Sequence, residues 1–146
     1  LFLSECQFGE RTYKFNIRNG TNDTIQYYRA HSEDYFHYVY PDTTIIEEKF
    51  DLSSPSGRIR PKMTLQLGGF SPLENVFKTY KNDTLSIFFF NRDTLRKYPW
   101  ETIRKDYNIL KRYDLSIQDI QLLDYEISYP PYEAMKEMKM YPPYGK

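Results

Sequence analysis

The sequence predicts a mainly β fold: an antiparallel β-sandwich, immunoglobulin-like or related, with two short helical insertions. Three observations predict it. Apolar and polar residues alternate in short runs that end in turn chemistry rather than in long helices. Aromatic residues make up 18% of the chain, with 15 Tyr against one Trp, and Tyr suits a sheet surface that is packed below and wet above. The 146 residues are enough to bury one core without a metal or a disulfide.

The elements follow in chain order. Tyr13, Phe15 and Ile17 alternate with Lys14, Asn16 and Arg18, the period-two signature of a strand with one wet face. Asn19-Gly20 is a tight-turn pair, and residues 24–28 return as a second strand. A hairpin with a slightly long loop over 19–23 is therefore expected. Between Ala30 and Pro61 the pattern is weakest: 43–50 is strand-compatible and 53–57 is a loop. Met63, Leu65 and Leu67 alternate with Thr64 and Gln66, and Gly68-Gly69 is expected to stop that strand. Residues 85–90 are apolar on both faces, which predicts a central strand covered on both sides.

Pro99 suits the first position of a helix over 99–108. Trp100, Ile103 and Tyr107 then share a face, with Glu101 near the positive end. Ser116 and Asp119 have capping-box spacing for a helical turn over 116–123, whose apolar side is Ile117, Ile120 and Leu123. A last strand is expected over 124–129, with Tyr125, Ile127 and Tyr129 inward and Pro130-Pro131 closing it. The predicted core is Tyr13, Phe15, Ile17, Ile25, Leu65, Leu67, Ile87, Phe89, Trp100 and Ile127. The chain divides into an N-terminal linker with a lipoprotein-signal remnant (1–10), the sandwich (11–131) and a C-terminal extension, partly helical or loosely ordered (132–146). Two copies of Tyr-Pro-Pro-Tyr, at 129–132 and 141–144, bound the helix-compatible part of that extension.

Composition narrows function. Lys and Arg total 20, as do Asp and Glu, and a chain with no net charge lacks the excess that displaces counterions from nucleic acid. Cys6 is the single cysteine, so no intrachain disulfide can form. It follows the apolar run Leu1-Phe2-Leu3, as a lipidated cysteine follows a bacterial lipoprotein signal, although Glu5 stands where such signals carry a small residue. The run is too short to span a bilayer.

Catalytic and metal chemistry find little support. His31 and His37 are the two histidines, and with Glu33 or Asp34 they lack the spacing of a known ligand set. No nucleophile elbow or phosphate-binding glycine loop is present, and none of the 20 acids stands out as a pair. Neither a metal nor a cofactor is expected. The better lead is aromatic: Tyr28, Tyr35, Tyr38 and Tyr40 crowd one stretch and could form a contact patch for a glycan, peptide or envelope protein. The competing reading is cross-strand filler in a half-buried sheet.

Residues 83–91 (Asp-Thr-Leu-Ser-Ile-Phe-Phe-Phe-Asn), Asp93-Thr94-Leu95, Trp100-Glu101, 109–115 and 127–131 together resemble a group of small uncharacterised lipoproteins of Bacteroidetes-type gut bacteria. The Cys6-Gln7 start and Asp23-Thr24-Ile25 are also similar to that group. The resemblance spans roughly 1–131. It implies a β-rich domain and a cell-envelope location, lipid-anchored in the outer membrane or a periplasm-facing membrane, with Cys6 as the lipidated residue. It also implies O-glycosylation at Asp-Thr-apolar sites, here Thr24, Thr43, Thr84 and Thr94; capping and strand starts explain the same pattern structurally. The leading expectation is a non-enzymatic envelope lipoprotein that binds a partner. The alternative is a small hydrolase using acidic residues in a surface cleft.

Overall fold

The alternating segments do form strands. The computed structural model describes residues 12–30 and 51–146. In chain order these give β1 (Tyr13–Asn19), β2 (Ile25–Arg29), β3 (Arg58–Ile59), β4 (Thr64–Gly69), α1 (Leu73–Lys78), β5 (Leu85–Asn91), α2 (Arg92–Lys97), α3 (Trp100–Lys105), β6 (Lys111–Leu115), α4 (Ile117–Leu122), β7 (Glu126–Tyr129) and β8 (Lys139–Tyr141). A three-stranded sheet has the order β4-β1-β7, and a five-stranded sheet the order β3-β2-β5-β6-β8. The fold is mainly β, and the two sheets pack as a sandwich. Every pairing is antiparallel except β1 with β7, which run parallel with Ile17 beside Ile127.

Two apolar clusters hold these layers. Between the sheets lie Phe15, Ile17 and Ile127 from the small sheet and Ile25, Ile87, Phe89, Tyr113 and Leu115 from the large one. Tyr113 also donates its hydroxyl to the Ser128 carbonyl of the small sheet, 2.7 Å away. On the outer face of β5, Phe88 and Phe90 are covered by Leu95 of α2 and by Trp100 and Ile103 of α3. That double cover is why 85–90 reads as continuously apolar, and β5 is indeed central, flanked by β2 and β6. The expected core residues are buried except Tyr13, Leu65 and Leu67, which pack against it half-buried.

Several elements differ from expectation for identifiable reasons. β1 and β2 are not a hairpin, because they belong to different sheets. The buried Asn19 side chain turns the chain across: its Nδ2 donates to the carbonyls of Asp23 (2.7 Å), Ile59 (2.9 Å) and Arg60 (3.1 Å). β4 includes both Gly68 and Gly69 and ends at Gly69, as the glycine pair predicts. A Cβ at Gly69 would come within 2.9 Å of the Tyr13 ring, so the glycine makes room for a cross-strand aromatic.

The helix at Pro99 is shorter than 99–108. Tyr107 takes a positive φ of 50°, and the amides of Tyr107 and Asn108 return to the carbonyls of Arg104 and Ile103, a Schellman ending. α4 has the predicted capping box between Ser116 and Asp119 and ends the same way, with Asp124 and Tyr125 bonding back to Gln121 and Ile120. Those two residues close a helix instead of opening a strand, and Tyr125 lies exposed rather than inward. Two further helices, α1 and α2, join the two expected. The chain after Pro131 makes a 3₁₀ turn at Glu133–Met135 and then adds β8 to the edge of the large sheet beside β6. Met135 and Met140 of this segment bury in the sandwich core. The strand considered over 43–50 lies outside the described residues.

Candidate functional site

Beside the open edge of the large sheet, three segments converge on a cavity of about 270 Å³ lined by Thr24, Arg58, Arg60, Pro61, Arg92, Asp93 and Arg96. The local sequence explains each placement. Arg58 and Arg60 flank Ile59, whose side chain is buried in the core, so the period-two rule sends both arginines to the other side. Arg92 and Arg96 are four apart on α2 and share a helical face. The start of α2 is fixed by Asn91, whose side chain accepts from the Thr94 amide at 3.1 Å. Backbone pairing then brings the pieces together: Gln26 sits opposite Arg58, and the Arg92 amide donates to the Thr24 carbonyl at 3.3 Å.

Arg92 organises the wall. It is 3% exposed, and its guanidinium donates to Gln26 Oε1 at 2.9 Å and to the Leu52 carbonyl. Gln26 in turn donates from Nε2 to the Ser56 carbonyl at 2.8 Å. Gly57, which follows, takes φ of +77°, and a Cβ there would lie 2.3 Å from Gln26 Nε2 and 2.9 Å from the Tyr27 carbonyl. Only glycine allows the chain to pass this close and deliver Arg58 to the cavity. The Nε of Arg92 is buried with no hydrogen-bond partner, which is uncommon for a charged donor. Burial lowers the Arg92 pKa, and the charges of Arg96 and Arg58 lower it further. Asp93 and Arg96 form an exposed pair at 3.8 Å. Among the described residues no carboxylate pairs with Arg58, Arg60 or Arg92.

Of the residues singled out from sequence, Tyr28, Thr24, Thr84 and Thr94 fall among the described residues. Tyr28 is half-buried against the outer cluster and also lines a wider, open hollow of about 400 Å³ with Tyr27, Arg29, Asp51 and Ser54. Tyr35, Tyr38, Tyr40, His31, His37, Thr43 and Cys6 lie outside the described residues. Thr24, Thr84 and Thr94 are all half-buried. Thr24 lines the arginine cavity, Thr84 donates to the Asn82 carbonyl at 2.9 Å, and Thr94 sits in the first turn of α2. No group of three or more His, Cys, Asp or Glu side chains suited to a metal occurs among the described residues. The cavity's arginines were not recognised from sequence. Arg58-Ile59-Arg60 and the Arg92–Arg96 spacing were visible locally, but nothing in one sequence says that they meet.

No protein-family model, curated protein or solved structure matches the chain. No helix among the described residues is long and apolar enough to cross a membrane.

Proposed function

We propose that this protein is a non-enzymatic binding module of the cell envelope, lipid-anchored through Cys6, which takes its ligand at the arginine cavity. The observation that carries the reading is the composition of the wall: four arginines from two segments against one carboxylate, Asp93. Acid–base hydrolysis asks for two carboxyl groups across a cleft, whereas a set of fixed guanidiniums suits recognition. Anchorage through Cys6 rests on the apolar run before it and on the resemblance to envelope lipoproteins.

Both halves can be tested separately. Fractionation of cells expressing the full precursor should move the protein out of the membrane fraction on Cys6→Ala; retention there would refute the lipid anchor. For the site, the purified Cys6→Ala chain should recover an envelope component from extract or a glycan panel, and Arg60→Gln with Arg96→Gln should abolish recovery. Undiminished recovery by that double variant would move the ligand elsewhere, with the hollow beside Tyr28 the next surface to mutate.

A further inference from the structure

Among the described residues, the arginine cavity has more positive charge than neighbouring carboxylates neutralise. Asp93 is partnered with Arg96, which leaves Arg58, Arg60 and Arg92 in the same wall without a carboxylate among the described residues. Arg92 cannot relieve its own charge by turning outward. It is buried, tied to Gln26 and Leu52, and still leaves Nε–H unmatched. Guanidinium groups present paired N–H donors whose spacing matches the oxygens of phosphate and carboxylate. A monocarboxylate would neutralise one of the three remaining cations, whereas a phosphate monoester carries close to two charges at neutral pH and three acceptor oxygens. The volume, about 270 Å³, is several times the roughly 30 Å³ that one water occupies in the liquid. It admits a phosphate together with the first atoms of whatever carries it.

We propose that the cavity bounded by Thr24, Arg58, Arg60, Arg92 and Arg96 is a binding site for a terminal phosphate group, free or carried on a small molecule. This rests on the reading of the cavity as the ligand site and names the chemistry it selects. Arg92 is the fixed floor of the site, held by β2 and the turn before β3. Arg60 and Arg96, both exposed, close on the anion from the rim. Thr24 adds a hydroxyl at the same wall.

Calorimetric titration of the purified Cys6→Ala chain tests it with four probes: inorganic phosphate, glucose 6-phosphate, inorganic sulfate and glucuronate. Phosphate and glucose 6-phosphate should bind at least about tenfold more tightly than glucuronate, the step expected for one additional charged hydrogen bond. Tighter binding of glucose 6-phosphate than of inorganic phosphate identifies a carried phosphate; equal binding identifies the free ion. Arg60→Gln and Arg96→Gln should each weaken phosphate by about tenfold while the unfolding midpoint is unchanged. Between pH 7.5 and 5.5 the affinity for both phosphate probes should fall and sulfate affinity should hold, because only phosphate gains a proton over that range, the monoester at about pH 6. Asp93 is the one acid in the wall. Phosphate binding insensitive to both arginine variants overturns the proposal, since the ion then sits elsewhere. Binding of glucuronate alone, weakened by the same variants, also overturns it but leaves the cavity as the ligand site. Binding of no probe overturns the phosphate assignment, and recovery of an envelope component by the wild type but not the double variant then decides the cavity independently.

Discussion

Arg92 and Arg112 are equally deep, each 3% exposed, and the protein treats them differently. Arg112 lies on β6 against the Phe88 ring, 4.9 Å from its centroid, and its Nε donates to both oxygens of Asp114 at 3.0 and 3.1 Å. Ser86 donates to the same carboxylate at 2.6 Å, and Arg112 reaches the Tyr107 hydroxyl at 3.4 Å. Arg92 has neutral acceptors, two like-charged neighbours and a vacant Nε–H. A buried cation that a carboxylate completes belongs to the frame, because the pair offsets its own desolvation. Arg92, held by neutral acceptors, has no such offset among the described residues, and for that reason the proposed ligand site includes it. The contrast sets Arg112, which a carboxylate of the chain completes, apart from Arg92, which the proposed site uses.

The largest way to break the contrast is at Asp114. Asp114→Asn removes the carboxylate that Arg112 Nε and Ser86 both bond and should cost about 3–5 kcal/mol, read as a lower urea midpoint. An unchanged midpoint would mean the pair does not hold the outer face of β5 and β6. Arg92→Met should cost less, about 1–3 kcal/mol, because it strands only the acceptors at Gln26 and Leu52 and removes an unmatched donor with them. Equal costs at the two positions would make Arg92 as structural as Arg112.

pH sharpens the same division, since neither arginine titrates in the accessible range while the inner core does. Burial, reinforced by Tyr129, raises the Tyr113 hydroxyl well above its ordinary value, and burial also raises Tyr27, Tyr80 and Tyr129. In the unfolded chain these phenols ionise near pH 10, while in the fold they keep their protons. Their contribution to stability is therefore complete below about pH 10 and is lost as pH rises from there toward the folded values, by about 1.4 kcal/mol per pH unit for a phenol that stays neutral. Denaturation at pH 9 and pH 11 should show the loss, and Tyr113→Phe should reduce it. A pH-independent midpoint would show that the inter-sheet space is wet.

The frame was more legible in the sequence than the site. Strand periodicity at Tyr13–Ile17, the doubly covered run before Asn91 and the Ser116–Asp119 cap are local signals, set by residues that are neighbours in the chain, and the structure contains all three. β6 was harder to read because Lys111, Arg112 and Asp114 are polar yet buried; partners distant in sequence, among them Ser86 and the carbonyl that receives Lys111 Nζ, account for them. The sheet switch after β1 depends on Asn19 reaching Ile59 and Arg60, forty residues on. The cavity is the extreme case. Arg58 and Arg92 meet only because β2 lies between β3 and β5, and a single sequence carries no record of that order.

The smallest expected effect is on stability at Arg96, and it bears most directly on the contrast. Its side chain is 59% exposed and that of Asp93 is 89% exposed, 3.8 Å apart. Such surface pairs contribute little, since water screens them and holding two long side chains costs entropy. Arg96 also lowers the Arg92 pKa through like-charge repulsion, so Arg96→Gln removes a weak attraction and a weak repulsion together. The urea midpoint should match the wild type or rise slightly. A clear drop would place Arg96 in the frame with Arg112, and the vacant Nε–H of Arg92 would then be an isolated packing feature rather than the floor of a site.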